Sequence, residues 1–307
     1  MTGQRNAARP VSGAAVETPS GKGAGDENFP VGSWLLPARL RPHVATFYRF
    51  ARAIDDIADN PALAPADKIE RLEHFAAALG DAESGGPALT TAHAMARSLS
   101  RTGVTSRHCL DLIAAFKQDA IKSRYDDWRD LLGYCALSAN PVGRYLIDLH
   151  GEPDTLYRLS DALCSALQVL NHLQDCQDDY RDLDRVYLPL DWMAAEGAEV
   201  HALDRPSSTP GLRRVLDRCL DEIDDLLLAA RLLPGRMHGR HLAMETAVIV
   251  HLAKRLAARL RGGDPLAGRV ALSKPDFLLC GLHGAGGELL GRMFAGRASA
   301  GPARQRP

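Results

Sequence analysis

Leu170–Asp191, LNHLQDCQDDYRDLDRVYLPLD, is the stretch from which the rest of the chain is read. Up to about Tyr180 it reads as helix: Leu163, Leu167, Leu170 and Leu173 recur at helical spacing, and neither Gly nor Pro interrupts. At about 3.6 residues per turn, Asn171, Asp175 and the pair Asp178/Asp179 fall on one side, with Asp182 a turn further on. Carboxylates crowded on one helix face repel one another unless a cation or a basic ligand sits among them. The alternative for this stretch taken alone is a solvated acidic face.

A second acidic stripe lies upstream in FYRFARAIDDIAD. There Tyr48, Arg52, Asp55 and Asp59 follow at offsets of four, three and four, one continuous helix stripe with Asp56 beside it. Two such helices in one chain can face each other across a cavity. Oxygen donors alone suit a hard divalent ion, and Mg²⁺ takes one or two carboxylates, keeps waters and completes its shell with phosphate oxygens. The pattern therefore points to Mg²⁺ and a diphosphate.

The remainder of the chain is consistent with an all-α protein. Of its 307 residues 46% are hydrophobic and the net charge is −1, which gives no bulk attraction to nucleic acid. Ala, Leu and Arg are abundant and strand-forming aromatics scarce. Six cysteines without a CxxC pair argue against a zinc site and a disulfide framework, and so for reduced core residues of a cytoplasmic protein. No apolar run approaches the roughly 18 residues that span a bilayer. Residues 1–26 are Gly-, Ala-, Ser- and Pro-rich and read as a disordered leader; 27–295 form one domain, and 296–307 a flexible tail. Pro30, Pro37 and Pro42 suit a short helix before a long one. Helices are expected near 42–59, 65–79, 88–102, 105–121, 127–138, 142–150, 154–180, 189–196, 209–232, 236–261 and 275–294, with DAESGGP (81–87) as a loop. SANPVGR, Ser138–Arg144, places Asn-Pro and Gly in a helical region and predicts a kink.

DDIAD (Asp55–Asp59), FKQDAIKSRYDDWRDLLGYC (Phe116–Cys135) and QDCQDDYRDLDRVYLP (Gln174–Pro189) resemble, in this order, the motifs of the squalene/phytoene synthase family. ENFPVGSWLLPARLRPHVATFYRFAR and SANPVGRYL resemble its bacterial hopanoid-pathway branch, the hydroxysqualene synthases. The resemblance covers roughly residues 27–290. It implies the class I isoprenoid synthase fold, a single α-helical bundle around a central cavity. It also implies Mg²⁺ held by Asp55, Asp56 and Asp59 and by Asp175, Asp178 and Asp179, gripping the diphosphate of a prenyl diphosphate substrate.

Around those motifs, Arg52 is either an intrahelical partner of Asp55 or a diphosphate clamp. Arg181 and Arg185 are placed similarly, with ion pairs to Asp182 and Asp184 as the alternative, and Asn171 stands one turn before Asp175. Tyr48 and Tyr187 can donate to a diphosphate or shield a carbocation, or can pack in the core; Tyr134 and Tyr145 lean to the core. Asn140 is the candidate polar group in an oily pocket, with a plain turn residue as the alternative. Asp119 and Arg124 can reach the diphosphate end, and Arg269 and Lys274 resemble the family's late basic segment. No ligand spacing links His238, His241, His251 and His283.

The activity implied by the hopanoid branch is conversion of presqualene diphosphate to hydroxysqualene, a diphosphate-releasing lyase step, with other enzymes of the hopanoid pathway as partners. Head-to-head condensation to presqualene diphosphate, reductive squalene synthesis and phytoene synthesis are the rivals within the family. A di-metal bundle would need paired Glu-x-x-His motifs, which are absent, and a scaffold with solvated acidic faces is the non-enzyme alternative. A lipid product makes room for peripheral contact with the inner face of the membrane, through Trp34–Pro37.

Overall fold

One helix, Tyr157–Gln174, runs through the middle of the molecule, with Leu159, Leu163, Ala166, Val169, Leu170 and Leu173 all buried. Its apolar residues occupy more than one stripe, as a helix covered on several sides requires. In the computed structural model, which describes residues 35–80 and 89–299, this is the seventh of thirteen α-helices. The first six are α1 (Arg41–Ala58), α2 (Pro65–Gly80), α3 (Thr90–Thr102), α4 (Arg107–Asp119), α5 (Trp128–Ser138) and α6 (Asn140–His150). After α7 come α8 (Cys176–Leu183), α9 (Leu190–Ala195), α10 (Pro210–Ala230), α11 (Leu233–Arg236), α12 (Arg240–Gly262) and α13 (Lys274–Ser299). Helix α7 packs against α5, α6, α10 and α12, and one continuous buried core runs from α1 to α12.

The expected helices are present, with four differences. The helix expected over 154–180 is interrupted at Asp175, whose φ of −104° and ψ of 10° end α7 and start α8. The kink expected in SANPVGR is a change of helix at Ala139, with Pro141 in the first turn of α6, where a missing N–H costs nothing. A short strand pair was not expected: β1 (Arg124–Tyr125) lies parallel to β2 (Val186–Pro189), and Val186 N–H donates to the Ser123 carbonyl at 2.9 Å. Residues 35–40 form turns rather than the expected short helix. The expected leader (1–26), the 81–87 loop and positions 300–307 of the tail lie outside the described residues.

Two glycines mark close helix approaches. A Cβ at Gly143 of α6 would lie 2.2 Å from Ser160 Oγ and 2.6 Å from Cys164 Sγ on α7. At Gly284 of α13 it would lie 2.7 Å from the backbone N and Cα of Val248 on α12. The six cysteines are free, five of them buried.

Candidate active site

On α1 the sequence stripe holds: Arg52 grips both acidic neighbours, Nη1 to Asp55 Oδ2 at 2.7 Å and Nη2 to Asp56 Oδ1 at 3.0 Å. Asp59 stands just past the end of α1 and accepts from Arg185 Nη1 at 2.6 Å. Arg185 is buried and also donates to the carbonyls of Ala58 and Asp119, so it ties the ends of α1 and α4 to the segment after α8. Arg181, one turn earlier, points away to Asp204 through Nε and Nη2. Both arginines line a polar cavity of about 690 Å³ together with Asp59, Lys68, Asp119 and Lys122. Arg124 pairs with Asp184, beside the same cavity wall.

Buried Asp119 connects the two acidic segments. Its Oδ2 accepts from Tyr134 Oη at 2.7 Å and its Oδ1 from Tyr187 Oη at 3.2 Å. The ring of Tyr187 stacks on His172 of α7 with centroids 3.7 Å apart. His172 Nδ1 lies 3.8 Å from Asp179 Oδ2, and its Nε2 lies 3.2 Å from Gln168 Nε2. Tyr187 is thus part of a buried polar relay. Gln174 Nε2 donates to the Val270 carbonyl, which brings the late basic segment to the second acidic cluster, where Arg269 acts on Asp175.

Charge is concentrated here against its own preference. Burial, then Asp59, pushes the Asp55 carboxyl up to about 8 in spite of Arg52. Burial pushes Asp119 up to about 6 against Arg185, and burial followed by Asp179 raises Asp175. A carboxyl held this high is one that a nearby cation would stabilise in its charged form. Among the described residues, no three carboxylate, His or Cys side chains are arranged to hold a metal ion unaided.

Beside the acidic segments lies a cavity of about 380 Å³ walled mainly by apolar side chains of α1, α6, α7 and α12. On α1 its lining runs Val44, Phe47, Tyr48, Ala51 and stops one turn before Asp55; on α7 it ends at Gln168 and Asn171, one turn before Asp175. One end of an oily chamber therefore abuts both carboxylate clusters. Tyr48 and Asn171 line it; Asn140, Tyr187 and the arginines do not. The Asn140 amide oxygen instead accepts from Ser165 Oγ at 3.0 Å, and the SANPVGR segment reaches the cavity through Ser138, Ala139, Val142 and Gly143. Leu36, in the segment read for membrane contact, is buried and lines the cavity. Among the described residues no helix is long and apolar enough to cross a membrane.

Three groups escaped the sequence reading. His172 has no ligand spacing to announce it. Ser138 was read only as part of a kink. Glu245, buried on the cavity wall, carried the one available signal: a carboxylate inside the apolar run LAMETAVIV of α12.

Comparison with known proteins gives the family. The profile of the squalene/phytoene synthase family matches residues 23–276. The hydroxysqualene synthase of Rhodopseudomonas palustris is 41% identical over 282 residues, covering 92% of this chain and 95% of that protein. That of Zymomonas mobilis is 40% identical over 272 residues, 88% of this chain and 91% of its own. The crystal structure of squalene synthase HpnC from Alicyclobacillus acidocaldarius superposes with a TM-score of 0.67 at 31% identity, covering 76% of this chain and 87% of its own. A dehydrosqualene synthase shares the fold at a TM-score of 0.74 and 18% identity, over 86% of this chain and 92% of its own. The helical bundle is accordingly the isoprenoid synthase fold, and the chain belongs to the squalene/phytoene synthase family.

Proposed function

We propose that this enzyme, of squalene/phytoene synthase type and acting on prenyl diphosphates, converts presqualene diphosphate to hydroxysqualene with release of diphosphate, and that it uses Mg²⁺ to do so. The observation that carries the reading is the 41% identity to a hydroxysqualene synthase across 92% of the chain. The cavity supports it: an apolar chamber abutting two carboxylate clusters suits a long hydrocarbon with a diphosphate at one end.

Asp55, Asp56 and Asp59 with Asp175, Asp178 and Asp179 are the residues that would hold Mg²⁺. When bound, the ion supplies positive charge that stabilises the diphosphate as a leaving group. The rest falls to the chain. Arg52 lies next to both carboxylates of its stripe and is the basic group best placed to meet a diphosphate; Asn171 and Tyr48 stand at the chamber's acidic end. Arg181 and Arg185, read from sequence as diphosphate ligands, face the second, polar cavity and serve the substrate only from that side. Loss of diphosphate leaves a cation among mainly apolar walls that include the rings of Phe47 and Tyr48, and an aromatic ring stabilises a nearby cation. Phe47 is held for this by a stack on Tyr145 with centroids 4.0 Å apart. Water then captures the rearranged cation as the alcohol.

The test is product analysis by mass spectrometry after incubation with presqualene diphosphate and Mg²⁺, with and without NADPH. Hydroxysqualene in both samples is the expected result. Squalene that appears only with NADPH would move the protein to the reductive synthases, and turnover of farnesyl diphosphate to presqualene diphosphate would move it to the condensing enzymes.

A further inference from the structure

We propose that Ser138 holds the water that captures the carbocation, and so decides that the product is an alcohol. The inference rests on the reading of the reaction given above. Ser138 ends α5 and lines the apolar cavity, and among the described residues its buried Oγ has no hydrogen-bond partner. The other polar side chains of that wall are engaged. Tyr48, Asn171 and Glu245 have partners of their own, Ser160 bonds Cys164, Gln168 meets His172, and Thr246 Oγ1 donates to Met237 Sδ. A buried hydroxyl left unbonded is costly, and a turn about χ1 that points the Ser138 Oγ into the cavity lets a water there relieve that cost. The chamber of about 380 Å³ accommodates one beside substrate, since a water fills about 30 Å³.

The chemistry balances with that water alone. The carbon–oxygen bond to diphosphate breaks and its electron pair leaves with the diphosphate. After rearrangement, a lone pair of the water oxygen forms the new carbon–oxygen bond, and the proton the water loses passes to the released diphosphate. Ser138 neither gains nor loses a proton overall; it is a positioning residue, accepting from or donating to the water so that its oxygen faces the cation. The neighbouring Asn140 does not line the cavity, and its amide oxygen accepts from Ser165 Oγ.

The experiment compares wild type with Ser138→Ala, Ser138→Cys and Ser138→Thr, each given presqualene diphosphate and Mg²⁺ in H₂¹⁸O. Hydroxysqualene is measured against elimination hydrocarbons by mass spectrometry, and melting temperature is recorded for each protein. Ser138→Ala is expected to lower the alcohol-to-hydrocarbon ratio about fivefold or more, the size of one net hydrogen bond. Ser138→Cys, nearly the same shape with a weak donor, shifts it in the same direction, and Ser138→Thr restores it to within about twofold. A merely structural role for the serine would change stability and leave this ratio alone. An unchanged ratio in both the Ala and Cys variants overturns the inference while wild-type hydroxysqualene leaves the proposed reaction standing. Absence of ¹⁸O-labelled alcohol from the wild type overturns both.

Discussion

Arg181 and Arg185 stand one helical turn apart in sequence and do opposite work. Arg185 is 6% exposed and binds Asp59 and two carbonyls, whereas Arg181 is exposed and reaches only Asp204. Arg185→Ala takes the donor from the Ala58 and Asp119 carbonyls and the partner from half-exposed Asp59, so it should lose about 2 kcal/mol of stability in urea denaturation. Arg181→Ala should lose less than about 1 kcal/mol, as exposed pairs do. Equal losses would contradict the clasp assigned to Arg185. Asp55 supplies the second residue-level prediction. Its carboxyl is held up to about 8, while in an unfolded chain it ionises near 4. Between those values the unfolded state sheds a proton that the folded state keeps, so the residue's contribution to stability falls as pH rises through the window. Asp119 and Asp175 are shifted in the same direction and add to the trend. Asp55→Asn, which removes the titrating group, should therefore gain in melting temperature relative to metal-free wild type from pH 5 to pH 8.5. The same variant should lose at least about a hundredfold in turnover, the cost of a removed metal ligand. A melting difference that stays flat or shrinks toward pH 8.5 would refute the crowding of carboxylates described for α1.

Helix α13 carries a test of how its glycines differ. Gly284 brings its backbone onto that of α12 at Val248, while Gly281 and Gly286 have open space where a Cβ would go. Gly284→Ala must push two backbones apart and should cost roughly 1–3 kcal/mol. Gly281→Ala and Gly286→Ala, in the same helix, should instead be neutral or stabilise by up to about 1 kcal/mol through helix propensity. Thermal denaturation of the three variants decides it: a neutral Gly284→Ala would mean that α13 does not rest on α12 as described. The interruption at Asp175 belongs to this scale too. Because α7 ends there, Asp178 and Asp179 leave the chain along the direction of α8, and β2 beyond them is pinned to β1 rather than left to the bundle.

Across the whole molecule, the acidic segments, the arginines and the apolar chamber converge from α1, α4, α7, α8 and α12, so ligand binding should be read out as global stability. Mg²⁺ alone, which takes only one or two protein carboxylates, is expected to move the melting temperature by less than about 2 °C. Mg²⁺ with inorganic diphosphate completes the ion's shell. At a hundredfold excess over the dissociation constant, the pair should add about 2.7 kcal/mol, or roughly 5–10 °C for a domain of this size. Differential scanning fluorimetry with each ligand alone and with both checks this, and additive single effects would count against a shared site.

The amino-acid sequence alone determined the helical class, ten of the eleven expected helices to within about five residues, the family motifs and the stripe from Tyr48 to Asp59. These are local matters: hydrophobic period, proline and motif spelling act within one uninterrupted helix, where spacing dictates which residues share a face. Wherever the chain changes direction, that rule lapses. At Asp175 the second acidic cluster crosses from one helix to the next. At Ala139 the turn sends the Asn140 amide to Ser165 and leaves Ser138 on the cavity wall. Arg185 met Asp59, His172 met Tyr187, and Gln174 met Val270 only through packing between segments 96 to 126 residues apart or across a change of element. Such meetings depend on the summed burial of many distant side chains. For that reason the tertiary structure alone decided which polar groups face the substrate chamber and which hold the bundle together.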